Sequence, residues 1–135
     1  MTRFVIDAPT LVHLVDAQVA VHPDHRLVAP GSIRSDALAL LLRDVRAGRR
    51  TDAEVRGLHE RLTEVKLRLL GDRVSRATAY RVAREQDWDD LRDAEHVAIT
   101  RLQADAFATV DEAMAARVDG LVPLVPVSAL EDPPA

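Results

Sequence analysis

The chain predicts a small α/β sandwich built around a mostly parallel sheet, and three observations carry that expectation. Short β-branched or apolar runs alternate with stretches of helical spacing, the pattern of strands joined by crossover helices. The length, 135 residues, is that of one ordinary domain. The hydrophobic share, 47%, is enough to fill a core on both faces of a sheet.

The elements follow in order. RFVID, residues 3–7, is β-branched and reads as a buried strand. APTLVHLVDAQVAV follows, with Leu11, Val12, Leu14, Val15 and Val19 at helical spacing, and Pro9 suits a first turn. HPDH, residues 22–25, predicts a turn with solvent-exposed histidines, and RLVAP a second strand ending at Pro30. SDALALLLRDVRAG, residues 35–48, predicts a helix with Ser35 as N-cap, Gly48 as stop and Leu38, Leu41, Leu42 and Val45 facing the core. Thr51 and Glu54 form a capping-box pattern that opens the next helix. KLRLLG, residues 66–71, fits a short strand or a frayed helix end. Residues 72–86 are helical, with Val74, Ala77, Tyr80 or Arg81, and Ala83 on related faces. DAEHVAITRLQ, residues 93–103, is a helix opened by Asp93. AFATV is a strand, DEAMAARV a short helix, and LVPLVPV a last strand whose prolines place it at a sheet edge or break it. One domain over 1–130 with a loose tail at 131–135 completes the expected layout.

Composition removes several function classes. No cysteine is present, which excludes disulfides, thiolate zinc sites and a cysteine nucleophile. Trp88, Tyr80, Phe4 and Phe107 are the only aromatics, too few for a stacking platform along single-stranded nucleic acid. A net charge of −4 gives no general pull toward phosphate backbones or anionic membranes. The start of the chain lacks the pattern of a signal peptide, and no apolar run approaches the roughly 18 residues of a membrane span. A cytoplasmic protein is the expectation.

Four carboxylates share one predicted place. Sites in open α/β sheets gather beyond the carboxyl ends of the strands. Asp7 closes the first strand and Asp111 follows AFATV. Asp36 lies in the first turn of the helix after RLVAP, and Asp93 opens the helix before AFATV. A helix cap or first-turn acid is the ordinary reading of Asp36 and Asp93 taken singly. Asp7 is less ordinary, because an Asp ending an apolar strand runs against strand propensity. Like charges at ~4 Å repel by about 4 kcal/mol at an effective dielectric of 20. A divalent cation offsets that repulsion, and all-oxygen donors select Mg²⁺ or Mn²⁺.

The ordered set FVIDAPT, LVAPGSIRSDALALLLRDVRAG and DAEHVAITRLQADAFATVD resembles the PIN-domain proteins, and within them the VapC-type ribonuclease toxins. The resemblance covers roughly residues 3–130. It implies a PIN-like three-layer sandwich and a Mg²⁺- or Mn²⁺-dependent endoribonuclease that hydrolyses RNA phosphodiesters with metal-activated water. It matches Asp7, Asp36, Asp93 and Asp111 to the family's four carboxylates. It matches Thr109 to the Thr of a Thr-x-Asp element that orients a carboxylate or water. It also implies a type II toxin with a neutralising antitoxin, and a homodimer. Three departures accompany it. The second acid is Asp36 where Glu is usual, Pro9 stands where a small polar residue is usual, with Thr10 able to supply the hydroxyl, and Glu95 and His96 replace an apolar and aromatic pair. Those departures motivate an alternative, a catalytically weakened PIN-like domain that binds RNA or protein.

Other residues carry weaker signals. His96 shares a helical face with Asp93, and a surface or interface role is its ordinary reading. Asp90 is a reserve ligand. Arg43, Arg46 and Arg50 form a basic stripe whose ordinary reading is a solvated helix face. A phosphoacceptor domain of the response-regulator kind would want an acid pair after the first strand and a late lysine. This chain has one Asp there, and its only lysine is Lys66.

Overall fold

A computed structural model of the chain describes residues 1–134. Five strands, β1 (Thr2–Ile6), β2 (His25–Pro30), β3 (Arg68–Leu70), β4 (Ala106–Ala108) and β5 (Leu124–Val125), form one sheet in the order β3-β2-β1-β4-β5. Every pairing in it is parallel. Six helices connect and cover it: α1 (Ala8–Asp16), α2 (Ile33–Arg46), α3 (Asp52–Glu64), α4 (Arg73–Gln86), α5 (Leu91–Gln103) and α6 (Glu112–Val118).

Strand side chains alternate between two faces, and this alternation makes three layers. Phe4, Ile6, Leu27, Ala29, Ala106 and Ala108 pack against α1, α2 and α3 through Leu11, Leu14, Ile33, Leu41, Leu58 and Leu62. On the other face Phe107 packs with Val82 of α4, Val97 of α5 and Met114 of α6. Val5 and Val28 meet Ile99 of α5 on that same side. Strands buried on both faces read as continuous apolar runs, which is why β1 and β2 stand out in the sequence.

Several boundaries differ from expectation. The second helix starts at Ile33 with Ser32 at its N-cap position, so Ser35 lies inside it. Its buried stripe is Ile33, Ala37 and Leu41, while Leu42 is exposed. Burying Ile33 beneath the sheet pulls the helix start forward and turns the stripe by about one residue. The fourth helix buries Ser75, Ala79, Val82 and Ala83 and leaves Val74 and Tyr80 exposed. The small Ala79 and Ala83 let α4 lie close against α5, and Val82 completes its inner face. The fifth helix begins at Leu91 with Asp90 as N-cap, so Asp93 sits in its first turn. The ambiguous 66–71 stretch contains β3, and the prolines cut the last strand to Leu124–Val125, followed by a 3-10 turn at Val127–Leu130. His25 is 6% exposed rather than solvent-facing. Its Nε2 donates to the Asp132 carbonyl at 2.6 Å, and its ring packs edge-on against Phe4.

Candidate metal centre

From β1 the chain runs to β2 and β3 on one side, and returns to β4 and β5 on the other. The crevice between β1 and β4 is therefore the switch point of the sheet, where open α/β folds place ligands. Ile6 pairs with Ala108, so Asp7 and Thr109 leave neighbouring strands side by side. Asp7 is the N-cap of α1 and is 4% exposed. Its Oδ1 accepts from the Thr10 backbone N at 3.2 Å and from the Thr10 hydroxyl in a short bond. Its Oδ2 accepts from the Thr109 hydroxyl at 2.7 Å. Thr109 Oγ1 in turn accepts from Asp111 N at 3.0 Å, and Thr10 Oγ1 from Val110 N at 3.1 Å. Both threonines thus tie the carboxylate of one strand end to the backbone leaving the other.

Asp7, Asp36, Asp93 and Asp111 all line one cavity of about 300 Å³ beyond these strand ends. Asp36 comes from the first turn of α2, Asp93 from the first turn of α5, and Asp111 is the N-cap of α6. Four separate elements therefore each deliver one acid to the same wall. Helix N-termini account for this, since each is a local positive end that favours a carboxylate.

The four acids share a cavity but do not converge on one point. Among the described residues, no group of three acids or histidines is gathered tightly enough to hold an ion. Asp36 Oδ1 accepts from Arg92 Nη1 at 2.8 Å, and Asp36 Oδ2 from the Ser32 hydroxyl at 2.9 Å. Asp93 Oδ2 accepts from Arg117 Nη1 at 2.7 Å. Asp111 Oδ1 caps α6 by accepting from Ala113 N and Met114 N. Asp93 Oδ1 and Asp111 Oδ2 lie outside these bonds.

The donor set fits a hard divalent cation in its chemistry. It is all carboxylate and hydroxyl oxygen, without sulfur, which favours Mg²⁺ or Mn²⁺ over softer metals. The arginines are the competing partners. The Arg92 side chain is 66% exposed, so its bond to Asp36 is a solvated pair of small net strength. The Arg117 guanidinium also lies 4.5 Å from the centroid of the Trp88 ring, a second contact that helps fix its position.

Arg92, Arg117 and Ser32 at this cavity were not legible in the sequence. Arg92 lies 56 positions from the acid it bonds and Arg117 lies 24 from its own, and no local pattern signals either pairing. His96 lines the same cavity and is buried, in place of the expected surface position. Its Nδ1 donates to the Arg92 carbonyl at 2.7 Å, and its ring stacks on Phe107 at 5.7 Å. Asp90 caps α5 by accepting from Arg92 N, which accounts for it without a ligand role. The basic stripe divides, since Arg43 lines the cavity while Arg50 lies beyond α2 and bonds Asp16 and Asp44.

No protein-family model matches the chain, and no curated protein matches it. Among solved structures it is similar to the crystal structure of PAE2754 from Pyrobaculum aerophilum, with 21% identity and a TM-score of 0.68. The likeness covers 96% of this chain and 93% of that one. At that identity it shows a shared three-layer α/β fold and nothing of activity.

Proposed function

We propose that the chain is a PIN-like, metal-dependent endoribonuclease of the VapC kind, with Asp7, Asp36, Asp93 and Asp111 as its acidic site. One observation carries the reading: four separate elements each bring one carboxylate to a single cavity at the switch point of the sheet. Helix N-termini explain each acid singly, and their arrival at one cavity is what supports a shared role.

The residues have distinct tasks in this reading. Asp7 is pre-aimed, because Thr10 and Thr109 fix both its oxygens before any ligand arrives. Asp93 and Asp111 offer the oxygens that carry no cap or ion pair. Asp36 is shorter than a glutamate by one methylene, so it reaches an ion through water. A bound Mg²⁺ or Mn²⁺ would supply an activated water and offset charge at phosphorus. Arg92 and Arg117, once released from Asp36 and Asp93, are free to take the non-bridging oxygens of the scissile phosphate. His96 lies on the same wall with Nδ1 committed to a carbonyl, so its Nε2 is an acceptor in the neutral ring. The toxin role, the antitoxin partner, the homodimer and the cytoplasmic setting come from the resemblance alone. Among the described residues no helix is long and apolar enough to cross a membrane.

The second reading is a binding module that has lost catalysis. The two arginine pairs favour it, because they engage half of the acidic set. RNA cleavage in Mn²⁺ or Mg²⁺ decides between them. The nuclease reading expects cleavage by the wild type, and a loss of at least about 100-fold in Asp7→Asn and in Asp93→Asn. Undiminished cleavage by both variants sinks the site assignment. RNA binding with no cleavage in either metal supports the module.

A further inference from the structure

A second cavity, of about 920 Å³, lies at the opposite end of the strands. Its wall carries Arg3 of β1, Arg26 of β2, Lys66 just before β3 and Arg68 at the start of β3, with His22 and His25 beside them. No acid lines it, although the whole chain has a net charge of −4. Arg3 and Arg26 are register partners on neighbouring strands, and Arg68 is the register partner of Val28, two residues past Arg26. Neighbouring strands lie roughly 4.8 Å apart, and like charges paired across them destabilise a sheet. Among the described residues none of these four cations has an ion-pair partner, a state most of the chain's cations share, so what sets this wall apart is that they are gathered on one cavity without an acid. Two acids lie near the wall without lining it. Asp105 accepts from the Arg3 backbone N at 2.8 Å, and Asp24 lies 4.0 Å from His22 Nδ1.

The wall is also partly preset. Arg26 Nη1 donates to the Pro23 carbonyl at 2.7 Å and to the His25 carbonyl at 3.0 Å, which fixes the guanidinium in place. His25 keeps Nδ1 buried and without a partner among the described residues. The four cations are exposed, so solvent screens their mutual repulsion, whereas a buried polar atom without a partner costs stability.

We propose that this cavity binds the phosphate backbone of a nucleic acid, as a second anchoring site distinct from the acidic cavity. Four unpaired cations without an acid among them suit a run of phosphates better than any single small anion. The choice of RNA as the nucleic acid rests on the ribonuclease reading.

The test is binding of a fluorescein-labelled 12-nucleotide single-stranded RNA to the full chain in EDTA, followed by anisotropy across a salt series. Chelation stops metal-dependent cleavage, so anchoring and catalysis fail separately. Replacing Arg26→Gln, Lys66→Gln and Arg68→Gln together is expected to weaken binding by about 10-fold or more and to make the log–log salt slope shallower by about 2. Arg26→Gln alone carries the same test with a change of about 0.7, should the triple variant not fold. Equal affinity and slope in wild type and variants would overturn the proposal. So would displacement of the RNA by a polyglutamate peptide at equal charge concentration, which would assign the cavity to an acidic protein segment instead.

Discussion

Asp7 accepts three hydrogen bonds in a buried setting while capping a helix, so its removal has consequences beyond any ligand. Asp7→Ala leaves the Thr10 backbone N–H and two threonine hydroxyls without their acceptor. Urea unfolding should show a loss of about 2–3 kcal/mol for it, against a smaller loss for the isosteric Asp7→Asn. Thr109→Val removes one donor to Asp7 and the acceptor for Asp111 N, and should cost about 1–2 kcal/mol in the same measurement. Equal stability of Asp7→Ala and wild type would mean that these bonds do not form in solution. Asp7 was legible in the sequence because an acid closing an apolar strand is out of place by propensity. The arginines that engage Asp36 and Asp93 were not, because topology alone brings residues 92 and 117 to this cavity.

Arg50 joins elements that the sequence leaves unconnected. Its guanidinium bonds Asp16 at the end of α1 and Asp44 near the end of α2. The hydrogen bonds from Arg50 hold both carboxyls below their usual pKa, with the Arg49 bond adding to the effect at Asp44. In the unfolded chain these acids take up protons near the ordinary value of 3.8. As pH falls below that value the unfolded state binds more protons than the folded one, so the stability this pairing adds is present above it and is lost on acidification. Arg50→Ala should lower stability at neutral pH by about 1 kcal/mol. It should also flatten the decline in Tm between roughly pH 4 and pH 2. A decline as steep as that of the wild type would remove Arg50 as its cause.

Helix ends were legible where local chemistry sets them. The Thr51–Glu54 capping box forms as expected, and Gly48 follows α2 at φ +75°, where a side chain is strained. Gly48→Ala should therefore cost about 1 kcal/mol by thermal or urea unfolding, and an unchanged midpoint would contradict that backbone assignment. Helix starts were less legible where burial sets them. Ile33 is drawn under the sheet, and the N-cap of α2 moves from the expected Ser35 to Ser32, three residues earlier. The inner face of α4 was read only in part, since Ala83 is buried as expected, while Val74, Ala77 and Tyr80 are exposed and Ser75, Ala79 and Val82 are buried.

At the scale of the molecule the two ends of the sheet carry opposite charge. Acids from four elements line the cavity beyond the carboxyl ends of the strands, and unpaired cations line the cavity at their amino ends. The alternation of strands and helices was legible from periodicity, and it is enough to place Asp7 and Asp111 at one edge. The strand order was not legible. It is the order β3-β2-β1-β4-β5 that makes β1 and β4 neighbours and brings Asp7 and Asp111 to one cavity. The basic cavity was hidden for the same reason, because Arg3, Arg26 and Arg68 become neighbours only through strand register.

In the nuclease reading the four acids hold a divalent cation between them, and calorimetric titration of the wild-type chain with Mn²⁺ measures that binding. Saturable binding is expected, weakened by at least about 10-fold in Asp7→Asn and in Asp93→Asn. No saturable Mn²⁺ binding by the wild type, or undiminished binding in both variants, would contradict it.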